Sequence, residues 1–193
     1  MYHDNYKYYK MARDTAWKTL IKCNISSLPV NLSTIIKQFN IYAVPYSSGY
    51  VPDNNEEDGF SLYKANTTFI FYNDSKHIHR VRFTLAHELG HCLLGHLKFG
   101  KTYNKNSELD FESIDVFEMQ ANVFARDLLM PATVLNSLNV KSPNDISRLC
   151  NVSMQSAELR YTRLLELKKR NMFNKHPLER RVYNNFTNYI NEM

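Results

Sequence analysis

The chain has 193 residues, enough to bury a core without staples and few enough for one domain with a small appendage. Its 44% hydrophobic share is that of a globular protein, no apolar run nears the ~18 residues of a membrane span, and three scattered cysteines (Cys23, Cys92, Cys150) exclude a disulfide framework or a CxxC zinc site. The formal net charge is +5, and the segment from Arg160 to Met193, with eight Lys/Arg against three Glu, carries that whole excess. A basic tail attracts nucleic acid or an acidic protein surface, although a solvated helix face is its commoner role. The start, MYHDNYKYYK, lacks the apolar region of a signal peptide, so the expected compartment is the cytoplasm.

Residues 5–23 place Tyr9, Ala12, Ala16 and Leu20 at helical spacing. SSLPVN breaks that helix, and Asn31 or Ser33 caps a short second one bearing Leu32, Ile35, Ile36 and Phe39. IYAVP (41–45) reads as a strand. A polar loop with four carboxylates between 53 and 58 follows, either a mobile surface loop or the rim of a cleft. FSLYK (60–64) and TTFIFY (67–72), joined by Ala65-Asn66, read as a hairpin. The next helix runs from about Val81 to Leu94 and stops at Gly95.

That helix carries His87-Glu88-Leu89-Gly90-His91, an H-E-x-x-H sequence. At ~100° per residue the two histidines lie ~40° apart, one turn from each other, so their imidazoles can converge on one Zn²⁺. Glu88 is rotated away from the ligand face and belongs beside an attacking water, as a general base. A zinc site needs a third protein ligand. His96 is tempting, but on a continuous helix it points ~180° from His87 and reads as a capping or surface histidine, with a place in the cleft lining as the lesser alternative. Cys92 also points off the ligand face.

A helix over 112–131, stopped before Pro131, has Phe117, Ala121, Phe124, Ala125, Leu128 and Leu129 on one apolar face. Glu118 borders that face, with Asn122 one turn later. Packed antiparallel on the H-E-x-x-H helix, it can offer Glu118 as the third ligand, giving the two-His, one-Glu set of thermolysin-type sites. Asn122 can then orient Glu118 or a ligand histidine. Glu112 and Asp115 compete, but sit nearer the helix start, where the dipole alone explains them.

SPNDISRLCNVSMQSAELRYTRLLELKKR (142–170) has helix-turn-helix form: Ile146, Leu149 and Cys150 face inward, Asn151-Val152-Ser153 turns, and Ser153 caps the next helix. Arg160, Arg163, Lys168 and Lys169 are its candidates for phosphate contacts. In the tail, Leu178, Val182, Phe186 and Ile190 make one stripe at four-residue spacing, expected to cover the chain's own core, recruit a substrate or hold a dimer.

RFTLAHELGHCLLGH followed by EMQANVFARDLLMP resembles the ImmA/IrrE family of metallopeptidases. The likeness extends over roughly residues 10–168, through LPV, FIFYN and VSMQSAELR, and fades in the tail. It implies an α+β, zincin-like fold with a small β-sheet, His87, His91 and Glu118 as metal ligands, Glu88 as the base, and Zn²⁺ as the cofactor. The family is found in bacteria, phages and mobile elements and is associated with cleaving helix-turn-helix repressors, so a protein substrate, a repressor encoded nearby, is expected. The expected division is a peptidase core over residues 1–135 and a helical C-terminal region over 136–193. The competing readings are a DNA-binding regulator with a structural or vestigial metal site and a non-catalytic interaction protein of a phage or toxin–antitoxin switch. The presence of Glu88 favours the enzyme, since a structural zinc needs no base.

Overall fold

The computed structural model describes residues 2–50, 57–99 and 111–193. Two expectations fall outside it: most of the acidic loop, of which only Glu57 and Asp58 are described, and the side chain of Glu112. Helix α1 (Tyr2–Lys22) and helix α2 (Leu32–Gln38) lead to strand β1 (Ile41–Pro45). Strands β2 (Gly59–Lys64) and β3 (Thr67–Tyr72) form the expected hairpin, with Ala65 and Asn66 both at positive φ in its turn. The sheet order is β1-β3-β2: β1 joins β3 in parallel, with Ile41 opposite Thr68, and β2 pairs antiparallel, with Phe60 opposite Phe71. Alternation aims Ile70 and Ser61, both fully buried, at the helical layer.

Helix α3 (Ile78–Leu94) crosses beneath the sheet. It begins three residues earlier than the apolar pattern predicts because the His77 ring accepts the His79 amide as a cap, and it ends at Gly95 in the left-handed region (φ 82°). Helix α4 (Phe111–Leu129) packs on α3 and on α1. The apolar face foreseen for it is the centre of the core: Phe124, Ala125, Leu128 and Leu129 are fully buried against Ala12, Ala16 and Leu20 of α1 and Leu89 of α3.

Helix α5 (Ala132–Ser137), missed by the periodicity reading, follows Pro131 directly. Helix α6 (Pro143–Cys150) opens with a Ser142–Asp145 capping box, and Ser153 caps helix α7 (Met154–Lys169), so the helix-turn-helix form is present. Its turn is clamped to α3: His79 Nε2 lies 3.0 Å from Asn151 Oδ1, and Arg82 donates to the Asn151 carbonyl at 3.1 Å. Arg160, one of the candidates for phosphate contact, does not face outward. It is buried, donating to the Met130 carbonyl at 2.7 Å and to Asp127 at 2.8 Å. The tail forms two helices, α8 (Pro177–Asn185) and α9 (Thr187–Glu192), rather than one, with Phe186 between them. Its stripe nevertheless covers the chain's own core: Val182 and Phe186 are fully buried and Leu178 and Ile190 partly so. One buried apolar cluster thus runs from Ala12 to Phe186. No helix among the described residues is long and apolar enough to cross a membrane.

Candidate metal centre

His87 and His91 project from one face of α3, as their four-residue spacing requires, and Glu118 reaches them from α4. Gly90 permits that approach. A Cβ on it would stand 3.1 Å from the Ala121 Cα and 3.2 Å from the Phe124 ring, so α3 and α4 come nearly into backbone contact one turn from Glu118. His87 Nε2 and His91 Nε2 are 3.1 Å apart, and the Glu118 oxygens lie 3.4 Å from His87 Nε2 and 3.6 Å from His91 Nε2. Four ligands around Zn²⁺ at about 2.0–2.1 Å would stand about 3.3–3.4 Å from one another. The histidine pair stands close to that edge and a different Glu118 oxygen lies near each ring, Oε2 by His87 and Oε1 by His91, while two imidazole nitrogens with a carboxylate are a donor set suited to zinc. Among the described residues this is the one His/Cys/Asp/Glu group so arranged.

The far sides of both imidazoles are engaged. His87 Nδ1 is 3.1 Å from Asn122 Oδ1, where Asn122 was expected to orient a neighbour. His91 Nδ1 is 3.0 Å from His96 Nδ1. His96 therefore needs correcting: it is 2% exposed, stacked on Phe117, and neither a cap nor a surface residue. The helix stops at Gly95 and a 3-10 turn over His96–Phe99 swings the ring back under the site. Burial holds His91 down at about 2 and His96 at about 4, so both rings are neutral near pH 7. Burial also pulls His87 down, but hydrogen bonding to Glu118 and the charges of Glu88 and Glu118 outweigh it and leave its pKa raised.

Glu88 occupies the position beside the ligand face. It is buried, and Ser61 of β2 donates to its Oε2 at 2.6 Å. Burial pushes the carboxyl up to about 7, against the opposing pull of His87 and the Ser61 hydrogen bond. Ser61 and His96 both escape a reading by motif. Ser61 carries one signal, a polar residue on the face of a strand that alternation turns inward.

An open cleft of ≈ 460 Å³ runs past these groups. It is lined by Glu57, Asp58, Gly59 and Phe60, by Arg80, Phe83 and Thr84 of α3, and by Glu118 and Asn122 of α4. Asp58 is paired with Arg80 and with Lys76, the latter at 3.8 Å. Gly59 is obligatory here, since a Cβ would meet the Thr84 methyl at 2.5 Å and the Phe71 carbonyl at 2.7 Å.

The profile described as the IrrE N-terminal-like domain, a peptidase family, matches residues 47–162. A Bacillus phage phi105 protein described as "Uncharacterized immunity region protein 2" is 31% identical over 121 residues, which are 63% of this chain and 70% of that protein.

Proposed function

The chain belongs to the IrrE N-terminal-like peptidase family, and from that premise we propose that it is a zinc-dependent endopeptidase whose substrate is a protein, a helix-turn-helix repressor encoded nearby, so that cleavage relieves repression. The observation that carries the reading is the convergence of His87, His91 and Glu118 beside the buried carboxyl of Glu88. The repressor follows from the family resemblance and from the description of the phage relative as an immunity region protein.

In this proposal His87, His91 and Glu118 hold the ion, and Asn122 orients His87. When bound, zinc supplies Lewis acidity to the scissile carbonyl and to the attacking water. Glu88 takes a proton from that water and passes it to the leaving amine, with Ser61 fixing its Oε2. Strand β2 is an edge of the sheet among the described residues and begins in the cleft wall, so an extended peptide can pair along it while Phe60 and Phe83 contact apolar side chains. All of these groups lie within residues 1–135. Residues 136–193 are proposed as an extension that braces them, through the clamp of Asn151 on α3.

A DNA-binding regulator is the weaker reading. It rests on the basic tail, yet the exposed residues in the first half of α7 are Met154, Gln155, Glu158 and Leu159, with no cation to meet phosphate.

The test incubates the purified zinc-loaded chain with the repressor encoded beside its gene. Cleavage by the wild type, and none by a Glu88→Gln variant that retains zinc and fold, is the expected result. Cleavage at the wild-type rate in Glu88→Gln would remove Glu88 as the base. Intact repressor with the zinc-loaded wild type would remove the assigned substrate.

A further inference from the structure

His91 belongs to a hydrogen-bonded chain that leaves the metal site, passes through His96 and Gln120, and ends on the backbone of α1. His96 Nδ1 lies 3.0 Å from His91 Nδ1, His96 Nε2 lies 3.2 Å from Gln120 Oε1, and Gln120 Nε2 donates to the Tyr8 carbonyl at 3.3 Å. His91, His96 and Gln120 are each no more than 2% exposed, so these three side chains are shielded from bulk solvent.

The sense of the chain is set at its far end. A backbone carbonyl can only accept, so the Gln120 amide must turn its NH₂ toward Tyr8 and its oxygen toward His96. That oxygen requires a proton on His96 Nε2, which leaves a lone pair on His96 Nδ1 in the neutral ring. The lone pair requires the proton of His91 on Nδ1, and His91 Nε2 is then bare, facing His87 Nε2 and Glu118. Reversing the sense would set the Gln120 oxygen against the Tyr8 carbonyl oxygen and put a proton on His91 where the metal belongs.

We propose that His96 and Gln120 are positioning residues for the metal site, and that the Tyr8 carbonyl of α1 fixes, through them, the tautomer in which His91 can ligate. This rests on the reading of His87, His91 and Glu118 as metal ligands. It makes α1, which lies outside the family-matched residues 47–162, a working part of the site. Outer partners of ligand histidines act by fixing tautomer and ring orientation, and their loss lowers metal affinity about 10–100-fold.

Two measurements on the full chain test it. Long-range ¹H–¹⁵N spectra of the imidazoles report the tautomers: His91 is expected as Nδ1–H and His96 as Nε2–H. A proton on His91 Nε2 or on His96 Nδ1 would overturn the assignment, whether or not any variant folds. Zinc affinity is then measured by chelator competition. His96→Phe keeps the stack on Phe117 but loses both ring nitrogens, and Gln120→Met loses the amide at similar volume. Each is expected to weaken zinc binding about 10–100-fold with the fold of the zinc-free chain retained. His96→Asn, whose amide oxygen can stand in for Nδ1, is expected to recover most of that loss. Wild-type affinity in folded His96→Phe and Gln120→Met would sink the positioning role. His87→Ala separates the two readings: zinc retained there would overturn the metal site itself, while the spectra judge the tautomer chain independently.

Discussion

Asp115 and Glu118 stand three residues apart on α4, but only one is placed to meet the histidines. Asp115 is exposed, whereas the Glu118 oxygens are within 3.6 Å of both Nε2 atoms. Zinc analysis should therefore find that Glu118→Ala loses more than the about 10–100-fold that an outer partner costs, while Asp115→Ala binds as the wild type does. Equal retention by both would move the third ligand elsewhere. A second carboxylate, Asp127, governs stability. It is buried between Arg126 and Arg160, each 2.7–2.8 Å away. Burial works against its ionisation, but the two guanidinium groups outweigh it and hold its pKa below the ordinary value. The stabilisation is therefore complete above about pH 4, the unfolded value, and is lost as pH falls further. Asp127→Asn should cost about 3–5 kcal/mol at pH 7 by denaturant unfolding, with the gap to wild type closing toward pH 2. A gap constant with pH would show that the charge is not what matters. The grouping of His87, His91 and Glu118 was legible because helical periodicity converts spacing into direction. His96 was misread because that conversion fails at Gly95, where the helix stops. Gln120 carries no spacing signal, and strand alternation turns Ser61 inward without naming its partner, since both partners lie on other elements.

At the scale of elements, the site depends on how closely two helices approach. Gly90→Ala would press a methyl on the Ala121 backbone, which cannot yield as a flexible side chain can. The expected result is overpacking of about 1–3 kcal/mol in thermal or denaturant unfolding, together with weaker zinc binding as α4 carries Glu118 outward. Unchanged affinity would show that Glu118 adjusts by its own rotamers. The helices and the hairpin could be read from the chain because caps and turns are local: Asn31 accepts the Thr34 amide, Ser153 the Ser156 amide, and Ala65-Asn66 turns. The parallel pairing of β1 with β3 had no such local mark, because its partners are brought together across the intervening β2. Nor did the break at Phe186, where neither Gly nor Pro interrupts the stripe.

At the scale of the whole molecule the first helix and the C-terminal helices meet. Helix α8 packs on α1, and the fully buried Val182 and Phe186 join the same apolar cluster as Trp17 and Leu20. A chain ending at Asn174 should lose roughly 3–6 kcal/mol of stability, from about 1.5–3 for each fully buried apolar side chain. Normal folding with slowed cleavage would instead assign the tail to substrate recruitment. The long reach of α1 also sets the order of assembly. Its hydrogen bonds from Gln120 to Tyr8 and from Arg126 to Tyr9 close sequence separations of 112 and 117 residues. Helices form in about a microsecond, but contacts this distant arise in milliseconds to seconds. Trp17, the only tryptophan, is buried in α1 and reports that closure by its fluorescence. In stopped-flow refolding, zinc capture should rise together with the tryptophan signal and not in the earlier helical burst, because a half-made chain has its histidines on one turn of helix and nothing yet to hold them in register.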